Sequence, residues 1–181
     1  MIRQSIGIVA MAWIAASGPM LATSSKADDQ APTSISQTPA TSQSPKTYAT
    51  FDPAEHAGKV LYVDFWASWC GPCKQSFPFM KELETRFSKQ GFEVIGINLD
   101  KDHAKAQKFL DQVLPNFPLV FDPDGKLAER YELKGMPTTL LFDRTGKLRQ
   151  TRIGFKEGEG DEVIAQIESL LDEEAPHEAT K

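Results

Sequence analysis

The stretch Val60-Leu61-Tyr62-Val63-Asp64-Phe65-Trp66-Ala67-Ser68-Trp69-Cys70-Gly71-Pro72-Cys73-Lys74 decides how the rest of the chain is read. Val60 to Trp66 is a near-continuous apolar run rich in β-branched and aromatic residues. That pattern predicts a strand buried on both faces, as in the centre of a parallel sheet. After the cysteines, Ser76, Phe79, Met80, Leu83 and Phe87 recur at spacings of three and four, the stripe of an amphipathic helix. Pro78 falls inside that helix and should kink it, and Gly91 ends it. Cys70 and Cys73 therefore stand where a buried strand gives way to a helix.

That position sets their chemistry. A helix N-terminus carries unpaired N–H groups and a partial positive charge, both of which stabilise a thiolate at Cys70. Free cysteine titrates near ~8.5, and such surroundings lower this to roughly 3.5–7.5. The second thiol, three residues on, is placed to attack a mixed disulfide intramolecularly. Pro72 is tolerated because its missing N–H would be unpaired in the first turn. Three other readings compete: a structural disulfide, a metal site and two buried free thiols. A disulfide over so short a loop constrains the unfolded chain little. A metal site needs more ligands, and the three histidines, His56, His103 and His177, are spaced away from the pair and are read as surface residues. Buried free thiols are unusual in an exported chain. The redox dithiol reading is favoured, because C-x-x-C beside a strand–helix pattern is a redox signature.

Asp64 lies inside the apolar run, six residues before Cys70. The run favours burial over an outward-facing position. A buried carboxylate without a fixed partner has a raised pKa, which suits it to exchange a proton with Cys73 through water as general base or acid. Of the aromatic residues near the motif, Phe65, Trp66 and Phe77 read as core and Trp69 as partly exposed.

Downstream, Phe92 to Leu99 reads as a second buried strand, and Ala106, Phe109, Leu110, Val113 and Leu114 as a helical face with Asp102 as its N-cap. Leu119-Val120-Phe121 is a short strand closed by the turn Asp122-Pro123-Asp124-Gly125, and residues 126–131 a short helix. Thr138 to Phe142 and Lys147 to Ile153 form a hairpin around Asp143-Arg144-Thr145-Gly146. Val163, Ile164, Ile167, Leu170 and Leu171 mark a final helix. The order of elements predicts an α/β domain with a mixed central sheet flanked by helices.

The first 47 residues read differently. Met1-Ile2-Arg3-Gln4 followed by an apolar run to Ala16 has the form of an export signal, with a cleavage pattern at Ser25-Lys26-Ala27. Residues 1–27 are read as that signal, with an uncleaved N-terminal membrane anchor as the alternative. Ile6 to Ala22 is 17 residues, broken by Ser17-Gly18-Pro19, where a span needs ~20. Residues 28–47, rich in Ser, Thr and Pro, read as a disordered tether that cannot bury enough apolar surface to fold. Residues 48–175 are the folded domain and 176–181 a frayed tail.

Composition narrows the function. The 181 residues carry 20 Lys+Arg against 25 Asp+Glu, a formal charge of −5. A mildly acidic chain without a basic stripe argues against nucleic-acid binding. Two cysteines in all cannot build a four-thiolate metal site, and no metal or other cofactor is expected.

Val63 to Lys74 closely resembles the active-site segment of thioredoxins. Pro78 matches that family's kink proline, and Met136-Pro137-Thr138 is similar to its cis-proline segment. The resemblance covers residues 55–171. It implies the thioredoxin fold, with Cys70 as nucleophile, Cys73 as resolving thiol, a Cys70–Cys73 disulfide when oxidised, Asp64 as buried acid and Pro137 cis beside the pair. A helix–strand insert at residues 102–121, the export signal and Gly135-Met136-Pro137-Thr138-Thr139 resemble the TlpA/ResA-type extracytoplasmic thiol–disulfide oxidoreductases. These bacterial proteins reduce chosen protein disulfides, including those of apocytochromes c in cytochrome c biogenesis. In this reading Trp69, Gly71, Pro72, Met136, Pro137 and Thr138 form a shallow substrate groove. The partners are a protein disulfide substrate and a thiol-reducing membrane electron donor, and the location is periplasmic. A disulfide oxidant or isomerase using the same residues is one alternative, and a copper- or haem-handling binding module another. One departure stands out: Gly96 occupies the position where thioredoxins usually carry a lysine near the buried Asp.

Overall fold

Residues 46–48 and 50–173 are described in the computed structural model of this chain. The expected signal or anchor (1–27), nearly all of the tether, residues 174–175 and the 176–181 tail lie outside them. The strands are β1 (Thr47–Tyr48), β2 (Val60–Trp66), β3 (Phe92–Asn98), β4 (Leu119–Phe121), β5 (Thr138–Phe142) and β6 (Leu148–Ile153). The helices are α1 (Gly71–Phe87), α2 (His103–Val113), α3 (Lys126–Arg130) and α4 (Gly160–Asp172). Thr47 pairs with Leu119, so the sheet begins one residue inside the segment read as tether.

The sheet order is β1-β4-β3-β2-β5-β6. The β2–β3 and β3–β4 pairs are parallel, while β2–β5 and β5–β6 are antiparallel. The sheet is therefore mixed, with β2 near its centre. Every residue of β2 and of β3 is buried, as a continuous apolar run requires when both faces are covered. On one face Tyr62 and Trp66 pack with α1, α2 and α4 through Phe77, Met80, Phe109 and Ile167. On the other, Leu61, Val63 and Phe65 pack with Phe51, Ile95 and Leu140, and with Leu127 of α3. Residues 103–121 form the expected helix and strand, and Asp102 caps α2 by accepting from Ala104 N at 3.0 Å.

His56 is not the surface residue the sequence suggested. Its side chain is 9% exposed, and Nδ1 lies 2.8 Å from Glu93 Oε2. Glu93 on β3 also accepts from Lys59 Nζ at 3.1 Å and Tyr48 OH at 3.3 Å. Burial pushes the Glu93 carboxyl up, but the hydrogen bonds from His56 and Lys59 outweigh it and hold it below its ordinary value.

Asp122 shows how a polar residue places an element. Its carboxylate accepts from three backbone N–H groups, those of Lys126, Leu127 and Ala128, at 2.9, 2.9 and 3.1 Å. These are donors that the first turn of α3 cannot pair internally. Asp122→Ala is expected to cost about 1–2 kcal/mol, read as a lower urea midpoint with an unchanged slope. An unaltered midpoint would show that α3 is held by packing alone.

Candidate active site

Cys70 ends the loop after β2 in extended backbone (φ −82°, ψ 107°) and serves as the N-cap of α1. Gly71 and Pro72 then open the helix. Cys70 and Cys73 are joined by a disulfide, with their Cα atoms 5.3 Å apart. Cys73 N donates to Cys70 Sγ at 3.2 Å, so the helix N-terminus directs an N–H at that sulfur. Cys70 is 5% exposed and Cys73 fully buried. Of the two cysteines, only Cys70 keeps any surface open to an incoming group.

The loop before the pair is fixed by a polar network the sequence did not reveal. Asp100 accepts from Ser68 N and Ser68 Oγ, both at 2.8 Å, and from Asn98 Nδ2 at 2.7 Å. This ties the approach to Cys70 to the end of β3. Trp69 projects outward at 68% exposure, as expected.

A groove of about 610 Å³ runs beside the disulfide, lined by Trp69, Cys70, Gly71, Pro72 and Met136 among the residues the sequence singled out. Its opposite wall, Leu99, Ala128, Leu133, Lys134 and Gly135, was not foreseen. Two expected groove residues lie elsewhere. Pro137 is buried, and the Met136–Pro137 bond is cis as the resemblance implied. Pro137 lines a different, smaller cavity. Thr138 is 1% exposed and its hydroxyl donates to Gly135 O at 2.7 Å. Successive residues entering β5 point to opposite sides, which turns Pro137 away from Met136, while Thr138 is kept out of the groove by its burial.

Asp64 is fully buried on β2, on the face packed by α1 and α4. Thr139 Oγ1 donates to Asp64 Oδ1 at 2.8 Å and lies 3.3 Å from Tyr62 OH. Thr139 reaches Asp64 because β5 runs antiparallel to β2 with the two residues paired. Burial raises the Asp64 carboxyl from 3.8 to about 7, partly countered by the Thr139 bond. Burial and the nearby Asp64 charge also push the Tyr62 hydroxyl up. Gly96 pairs with Asp64 across β2 and β3. A Cβ at Gly96 would approach Trp66 Nε1 and Leu119 Cδ2 at 3.1 Å and Phe117 Cε2 at 3.2 Å. Aromatic and aliphatic packing thus fills the place where a lysine would enter, and Asp64 has no basic partner there.

Among the described residues no group of three or more His, Cys, Asp or Glu side chains is arranged to hold a metal ion. None of their helices is long and apolar enough to cross a membrane.

Known proteins share this architecture. The chain is 32% identical over 117 residues to the thiol-disulfide oxidoreductase ResA of Geobacillus kaustophilus, covering 65% of this chain and 66% of that protein. The match thus spans just under two thirds of the relative's length. A crystal structure assigned as a candidate thiol:disulfide interchange protein, DsbE, from Chlorobium tepidum superposes with a TM-score of 0.64 at 44% identity, over 65% of this chain and 83% of that one. The exposed lipoprotein thioredoxin Etrx1 of Streptococcus pneumoniae gives 0.58 at 27% identity, over 66% and 91%. The fold is thus thioredoxin-like. Residues 26–168 match the Redoxin family, a span that takes in the cysteine pair, Asp64 and the cis-proline segment, and the chain belongs to that family.

Proposed function

We propose that this chain is an exported thiol–disulfide oxidoreductase that reduces chosen protein disulfides through the Cys70/Cys73 pair. The observation that carries the reading is the Cys73 N–H aimed at Cys70 Sγ from the start of α1, beside an open groove. That donor and the helix dipole favour a thiolate at Cys70. The Cys70 thiolate attacks one sulfur of the substrate disulfide, forming a mixed disulfide and expelling the other sulfur as a thiolate. Cys73 gives its proton through water to the Asp64 carboxylate and attacks Cys70 Sγ. The Cys70–Cys73 disulfide forms, the second substrate sulfur leaves, and the substrate has gained two electrons. The leaving thiolates take up protons, and a membrane-bound dithiol donor returns the pair to its reduced form.

Trp69, Pro72 and Met136 supply apolar surface for an extended substrate segment, whose backbone pairs at Met136 as an added strand does. Export to the periplasm is supported by the N-terminal 27 residues, and the activity by the name that the Geobacillus relative carries. The Gly71-Pro72 dipeptide favours reduction by analogy with thioredoxins. Equilibrating the pair with glutathione tests the direction. The expected potential lies near thioredoxin's ~−270 mV, and one near ~−120 mV would instead make the protein an oxidant.

A further inference from the structure

The flank of α1 that faces α2 carries no acid. Lys74, Pro78, Lys81 and Thr85 fall at i, i+4, i+7 and i+11, along one side of the helix. Lys74 Nζ stands 5.9 Å from the centre of the Phe109 ring on α2, and Lys81 Nζ donates to Val113 O, at the end of α2, at 2.9 Å. The two lysines bridge the seam between the helices. Between them Phe77, Pro78 and Val113 line a cavity of about 340 Å³. It shares no lining residue with the substrate groove.

Helix α2 adds to the charge. Lys105 and Lys108 lie one turn apart, and Lys105 stands four residues before Phe109, the residue under Lys74. Asp111, the only acid in α2, falls on the other flank, where it accepts from Gln107 Nε2 at 2.8 Å. Among the described residues none of Lys74, Lys81, Lys105 and Lys108 is ion-paired, whereas Arg86, Arg149 and Arg152 all are. Unpaired cations thus collect along one seam of a chain whose formal charge is −5.

Two further features suit an incoming chain. Pro78 has no N–H, so the Lys74 carbonyl loses its helical donor and can accept from another backbone. Leu114, directly after Val113, is 69% exposed in the left-handed region (φ 46°), where a leucine is uncommon. We propose that the seam between α1 and α2 docks an acidic segment of a partner protein, whose carboxylates meet these four lysines and whose single leucine or phenylalanine fills the cavity between Lys74 and Lys81. Charge complementarity names the partner, since the unpaired lysines attract an acidic segment and repel a basic one. A bilayer surface needs a broader apolar face than Leu114 offers. Because the seam and the groove are separate, one partner can hold both, and docking then raises the effective concentration of its disulfide at Cys70. That consequence rests on the reading of Cys70 as nucleophile.

An NMR titration of the oxidised full chain with a short peptide of alternating glutamate and leucine tests this. Saturable shifts are expected at the amides of Phe77, Lys81, Val113 and Leu114, and none at Trp69 or Met136. Glutamine in place of the peptide's glutamates, or Lys74→Glu in the protein, should weaken binding about tenfold. Absence of a saturable shift, shifts confined to the groove, or equal binding of the glutamine peptide would overturn the proposal. So would displacement of the peptide by phosphatidylglycerol vesicles, which would make the seam a membrane contact. The glutamine peptide needs no substitution in the protein, so it decides even where Lys74→Glu fails to fold. The titration uses the oxidised chain and no thiol chemistry, so its result stands apart from the role of Cys70, which the turnover of Cys70→Ser decides.

Discussion

Cys70→Ser is expected to abolish disulfide reduction, while Cys73→Ser leaves the first attack intact and accumulates mixed disulfides. The two sulfurs differ in access. Cys70 lines the groove, and Cys73 is fully buried in the first turn of α1. A bulky protein disulfide can therefore meet only Cys70. A serine hydroxyl in its place is un-ionised at neutral pH and a poor nucleophile toward sulfur, so turnover should fall by about 10⁴-fold or more. Cys73 acts next, at the high effective concentration of an intramolecular partner. Without it the substrate stays bonded to Cys70 until an external thiol arrives. Turnover of a protein disulfide and mass analysis under non-reducing conditions read both effects. Retained turnover in Cys70→Ser, or no trapped adduct in Cys73→Ser, would rule out the assigned roles.

Much of this site was legible in the sequence because its signals are local. The β2 run announces a strand covered on both faces, and all seven of its residues are buried. The helical stripe and the Gly-Pro opening place the cysteines at the head of α1. What stayed hidden depends on pairings between distant residues. Thr139 looks like any strand threonine until the antiparallel register of β2 and β5 sets it against Asp64, 75 residues away. Leu133 and Lys134 read as loop residues, and become a groove wall only once α3 is fixed by Asp122. His56 has no periodic neighbours to mark it as buried, because its partner Glu93 lies on β3. Pro137 and Thr138 enter the groove reading with Met136 through the resemblance of their segment to the cis-proline segment of thioredoxins. The alternation of an extended chain turns Pro137 away, and Thr138 is buried with its hydroxyl on Gly135 O.

Asp64→Asn is expected to stabilise the oxidised protein at alkaline pH and to change its stability little in acid. The sign follows from linkage. The Asp64 carboxyl rises from its ordinary 3.8 to about 7 in the fold, first through burial, with the Thr139 bond opposing. A group whose folded pKa lies above its unfolded one binds protons preferentially in the folded state. Its contribution is complete below pH 3.8, and is lost as pH climbs through about 7. Each pH unit between the two values is worth about 1.4 kcal/mol, so ionised Asp64 costs the fold about 4 kcal/mol above pH 8. Asparagine keeps an oxygen to accept from Thr139 and never ionises, which removes that cost. Urea denaturation of oxidised wild-type and Asp64→Asn protein at pH 4 and pH 8 should show the curves close in acid and well separated in alkali, with the variant the more stable. Equal stabilities at pH 8 would mean that the small cavity beside Asp64 and Pro137 solvates the carboxylate as well as water does. Such a protein would retain a buried aspartate too acidic to accept the Cys73 proton, and the release of substrate from Cys70 would need another base.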